Sequence, residues 1–151
     1  MPAPGPTHAY LSASPECWAC FNESMALHYA DVAFWSAHDM LVDAYALQHS
    51  RGPDLRARRS AVLHLVALYA QCELGLAHDR IIALRRSVAA EGIDDELSPW
   101  PMASVVISMV ATGDGPEAHL ASVEEFGTGV SRDWREHHAF AGSLCQRFLS
   151  L

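Results

Sequence analysis

Apolar positions recur along most of the chain at helical spacing, and the polar ones interrupting them are unusually rich in histidine. Over 35–49, His38, Leu41, Val42, Tyr45 and His49 share one face, with Asp39 and Asp43 in a polar stripe beside it. A first helix is predicted from Asn22, a good N-cap, to about His49, where Ser50-Arg51-Gly52-Pro53 stops it. A second is predicted over 54–77. Its stretch 61–70 is apolar around the whole circumference apart from His64, which implies burial on all sides. A third, over 79–90, ends at Glu91-Gly92 and carries an Arg85-Arg86 pair read as exposed.

Residues 94–101 form a loop with two prolines around Trp100. The β-branched run in 102–111 fits helix or strand, and helix is taken because no second strand exists to pair with it. Helical periodicity resumes over 117–126, and Gly127 and Gly129 are read as a break or kink. In 131–149, Trp134, His138, Ala141, Cys145 and Phe148 fall at offsets of 0, 4, 7, 11 and 14, an amphipathic face. The expected architecture is all-α, a bundle of four to six helices: residues 1–16 as an irregular N-terminal arm, residues 17–151 as a single helical domain. No repeat of solenoid length is present.

Composition narrows the partners. The 151 residues are 50% hydrophobic and 19% charged, a globular balance without an apolar run long enough to span a membrane. The formal charge is −8 and all 10 basic residues are arginine, so the surface repels phosphate backbones over most of its area. Neither nucleic acid nor a membrane is expected as a partner. The start of the chain lacks the basic and apolar regions of a secretory signal, so a cytoplasmic location is expected. Walker, dinucleotide, Gly-x-Ser-x-Gly and His-Glu-x-x-His motifs are missing.

The chemistry therefore rests on histidines and cysteines. If the first two helices form a hairpin about Arg51-Gly52, His38 and His64 stand at similar heights, and His137 or His138 of the last helix can complete a three-nitrogen site. Such a site suits zinc, or non-haem iron. Asp43 is then the candidate general base or orienting carboxylate, and Tyr45 the candidate proton donor. Cys17-Trp18-Ala19-Cys20 is half a zinc site, with His49 among the residues able to complete it, or else a redox pair or unliganded packing cysteines. Cys72 is expected near this end. Each histidine alone also fits a core residue satisfied by a carbonyl. His8, His78 and His119 read as surface residues, and His28 is undecided.

Cys17-x-x-Cys20, His38, Val42-Asp43-Ala44-Tyr45-Ala46-Leu47-Gln48-His49, the His64-Leu65 helix with Cys72, and Trp134-x-x-His137-His138 together resemble an uncharacterised bacterial family of unknown function. That family is marked by Cys-Pro-x-Cys and Val-Asp-x-Tyr-Ala-x-Gln-His-Pro. Trp18 and Ser50 stand where the pattern has proline, and neither change removes a potential ligand. The resemblance brings no activity with it. The residues point to a small bacterial metalloenzyme acting on a small molecule. The alternatives are an interaction module with a structural Cys/His zinc site, and a metal-free bundle binding a small molecule among Trp35, Tyr45, Tyr69 and Trp134. A homodimer stays open.

Overall fold

The computed structural model describes residues 11–150, and among them the chain forms six α-helices and no strand. They are α1 (Pro15–Ala30), α2 (Trp35–His49), α3 (Leu55–Leu74), α4 (His78–Glu91), α5 (Pro116–Asp133) and α6 (His138–Leu149). The fold is the all-α bundle that the periodicity implies. No described helix is long and apolar enough to cross a membrane.

The single helix expected over 22–49 is two helices. Asp31 leaves helical space, with φ −146°, and its carboxylate accepts from Ala33 N, opening a 3-10 turn at Val32–Phe34 that folds α1 back along α2. The first helix also begins earlier than Asn22. Ser14 caps it by accepting from Cys17 N, and Pro15 occupies the first position, where its missing N–H costs nothing. Cys17 and Cys20 thus lie inside the helix. Residues 1–10 of the expected arm are outside the described residues, and Ser12 is docked through its N and Oγ onto the His49 carbonyl.

α3 follows its prediction closely. Asp54 caps it, Gly75 closes it in the left-handed region at φ 62°, and Ala61, Val62, Leu65, Val66, Ala67, Leu68 and Ala70 are all buried. It forms a hairpin with α2, pinned near the turn by Ser50 Oγ and Ser60 Oγ at 2.9 Å, and it packs on α4, α5 and α6. The α2 helix packs on both α3 and α5. Its polar stripe therefore lies between elements.

Two expectations for the second half are corrected. Residues 102–111 are irregular apart from a 3-10 turn at Ile107–Met109. Their backbone groups are taken by side chains of neighbours: Gln48 donates to Val105 O, Ser104 N donates to Asp133, and Ala111 N donates to Ser122 Oγ. The glycines of α5 do not break it. A Cβ on Gly127 would stand 2.2 Å from Met40 Cγ, and one on Gly129 2.7 Å from Val105 Cγ1, so these glycines let α2 and the 102–111 segment approach the helix closely. The break falls later, at the 3-10 turn Arg135–His137.

Candidate functional site: histidines ranged along α2

The α1–α2 turn carries His28 to the first part of α2, and α5 brings His119 to the same place. His28 Nδ1 lies 3.1 Å from His38 Nδ1, and His28 Nε2 lies 2.8 Å from His119 Nε2. His119 Nδ1 is 2.7 Å from the Ala111 carbonyl, which can only accept. For neutral rings this fixes every proton: His119 Nδ1 donates to Ala111 O, so His119 Nε2 accepts from His28 Nε2, and His28 Nδ1 accepts from His38 Nδ1. The chain ends on His38 Nε2, which is left with a bare lone pair.

Burial supports the neutral assignment. His28 is wholly buried, and desolvation, followed by the neighbouring His119 and His38 rings, pulls its pKa down to about 4. His38 is also held below its ordinary value, first by desolvation; Asp39 works against this, and Arg85 and His78 reinforce it. Half-buried, His38 stands against the Trp35 ring at 4.4 Å and the Tyr29 ring at 5.8 Å.

Beside it lies a carboxylate network. Asp39 and Asp43, one turn apart, are bridged by Arg85 of α4, with Nη1 2.9 Å from Asp39 and Nη2 paired to Asp43. His78 Nδ1 donates to Asp39 Oδ2 at 2.5 Å, His64 Nδ1 donates to Asp43 Oδ1 at 2.8 Å, and Gln71 donates to Asp43 Oδ2 at 2.6 Å. Burial opposes the Arg85 charge, but Asp43 and Asp39 outweigh it and hold its pKa above the usual value. With Nδ1 donating to a carboxylate, neutral His64 and His78 each keep a bare Nε2.

The expected three-helix site is not assembled. Asp43 is the residue that meets His64, and it lies five positions, or about 7.5 Å along the helix, beyond His38. His137 Nε2 donates to Pro99 O at 2.8 Å and His138 Nε2 to Ser131 O at 2.9 Å, so both are tied to backbone at the far side of α5. Among the described residues, no three His, Cys, Asp or Glu side chains are grouped to hold a metal ion. Asp43 has no exposed surface and three donors upon it, which makes it a positioning group. Tyr45 has no exposed surface either. It stacks on Phe21 at 4.1 Å, next to His49, whose Nδ1 donates to the Tyr45 carbonyl at 2.8 Å.

The remaining expectations sort likewise. Cys72 lines a groove with Thr128, Ser131 and His138, and Cys145 is buried against Val66 O, so neither joins Cys17 and Cys20; burial pushes both thiols up to about 11. Trp35, Tyr69 and Trp134 pack on His38, His138 and Trp100 respectively rather than around one pocket. His119 is buried, contrary to its surface reading, and Arg85 turns inward. A signal for His119 was present: it stands at offsets 0, 4, 7 and 11 with Val123, Phe126 and Val130. His28 shares offsets with Phe21 and Ser24 in the same way. His78 and its carboxylate partner carried none.

A family model described as "Family of unknown function (DUF5946)" matches residues 5–135. No curated protein matches the chain, and no solved structure does.

Proposed function

The chain belongs to a family of unknown function, DUF5946, and from that premise we propose a transition-metal-binding protein that acts on a small molecule through a metal held by His38 and His78. The observation that carries this is the pair of bare Nε2 atoms. Each ring donates from Nδ1, His78 to a carboxylate and His38 to the imidazole chain, which is how metal-binding histidines are oriented and made more basic. His78 is seated on Asp39, the residue that follows His38 in α2. Two protein nitrogens leave the other coordination positions to water and substrate, and a bound zinc would supply a Lewis acid and an activated water there. Non-haem iron would take the same two imidazoles together with a carboxylate.

Metal analysis of the purified chain, followed by cobalt(II) titration, tests the reading. His38→Ala and His78→Ala are expected to lose a visible-region cobalt spectrum that His64→Ala keeps. Wild-type affinity at this spectrum in both variants would refute it.

A cavity of about 310 Å³ between α3 and α4 favours a second, metal-free reading, since it joins Leu63, Val88 and Ile93 to His64, Arg56 and Arg59. Saturable binding of a small anionic ligand, abolished by Arg59→Ala and untouched by chelator, would establish that one instead.

A further inference from the structure

The chain of imidazoles has a buried end that the proposed function does not use. Ala111 is fixed there by Ser122, whose Oγ accepts from Ala111 N at 2.8 Å and donates to His119 O at 2.9 Å. The Ala111 carbonyl meets His119 Nδ1 at 2.7 Å. His119 is buried and stands edge-on to Phe34, with ring centroids 5.0 Å apart, so packing as well as the carbonyl sets its orientation.

A carbonyl only accepts, so it demands a proton on His119 Nδ1, and each neutral ring that follows has one proton to place. The choice made at Ala111 is therefore handed from His119 on α5 to His28 on α1 and then to His38 on α2, across contacts of 2.8 and 3.1 Å. His28 passes it on because it is wholly buried, and solvent can satisfy neither of its nitrogens.

We propose that His119 is a positioning residue for His38: acting through His28, it decides which His38 nitrogen is bare and turns the lone pair to Nε2, at the half-buried end of the chain. The use made of that lone pair rests on the metal reading above; its placement does not. Taking the acceptor away reverses the choice. In His119→Phe the atom facing His28 Nε2 becomes a C–H on the positive edge of a phenyl ring, which suits a bare nitrogen and not an N–H. A His28 Nε2–H would also be a buried donor without an acceptor. His28 then carries its proton on Nδ1 and donates to His38 Nδ1, which leaves the His38 proton on Nε2. Glutamine at this position can accept from His28 through its oxygen and donate to Ala111 O through its nitrogen, which restores the original order.

Two-bond nitrogen–proton NMR correlations of the histidine rings, recorded on the metal-free full chain in neutral solution, read the tautomers directly. His38 is expected as the Nδ1–H form in the wild type and in His119→Gln, and as the Nε2–H form in His119→Phe. His137, whose Nε2 is 2.8 Å from Pro99 O, is expected as Nε2–H in all three and reports an intact fold. An Nε2–H form of His38 in the wild type or in His119→Gln would overturn the proposal. So would an unchanged His38 tautomer in His119→Phe with His137 as in the wild type. Cobalt(II) titration of the same proteins separates this from the metal reading: affinity is expected to fall about tenfold in His119→Phe and to be kept in His119→Gln. A wild type that binds no cobalt would remove the metal reading, while the tautomer pattern still decides the role of His119.

Discussion

Replacing Arg85 with methionine separates the two roles its guanidinium plays between α2 and α4. The side chain is 22% exposed, its partner Asp39 10%, and Asp43 not at all, so the lost attraction is only partly screened. Methionine fills the stem's space but leaves two carboxylates one turn apart with His64, His78 and Gln71 as their remaining donors. Removing one partner from a buried ion pair costs about 3–5 kcal/mol. In a domain of this size each kcal/mol is about 2–4 °C, so the melting temperature should fall by roughly 6–20 °C. Urea unfolding of both proteins at pH 7 is the assay. A deficit below about 1 kcal/mol would show that the bridge is not what holds α4 to α2.

The imidazole chain predicts a pH effect. Because the folded-state pKa of His28 is lowered from 6.5 to about 4, the unfolded chain binds the proton first, and stability declines as pH falls from about 6.5 to about 4, by about 3 kcal/mol in all; denaturant titrations should find this slope weakened in His28→Leu. Gly127→Ala should destabilise despite its better helix propensity, because its Cβ meets Met40 Cγ and Sδ at 2.2 and 2.5 Å. In a Met40→Ala background the same change should become neutral or stabilising, a coupling that thermal melts of the four proteins would measure. Asp54→Ala removes the acceptor for Ala57 N at 2.7 Å and should cost about 1 kcal/mol, read from the urea midpoint at unchanged slope.

The helices were legible where apolar residues repeated without interruption, as in α3 and α4; the closing segment expected over 131–149 is split, its first residues ending α5 and α6 beginning at His138. The α1–α2 junction was not, because it depends on a single carboxylate turning back on Ala33 N, and aspartate occupies many helices without doing so. Gly127 and Gly129 were misread for a related reason: glycine signals both a stop and a close approach, and only the positions of Met40 and Val105 distinguish the two. At the site, Asp43 was read as a general base or an orienting carboxylate, and it does meet a histidine of the expected trio, His64. The trio of His38, His64 and His138 failed because equal distance from a turn fixes height to within a turn at best, whereas a shared ion demands ångströms.

The histidines separate by what they donate to, and that distinction decides which of them can work. His137 and His138 donate from Nε2 to main-chain carbonyls, so their outer nitrogens are spent on the backbone. His38, His49, His64 and His78 all engage through Nδ1, and their Nε2 atoms point away from the partner across the ring. Two of these four, His64 and His78, meet α2 carboxylates, and the other two, His38 and His49, belong to α2 itself. A helix that needed only to bury its polar stripe would gain from pairing every nitrogen it brings inside. Repeated use of the inner nitrogen as anchor, with the outer one bare, is the arrangement in which an imidazole accepts a metal ion or a proton. It occurs at both ends of α2, so loss of bound cobalt is expected from His38→Ala and not from His49→Gln.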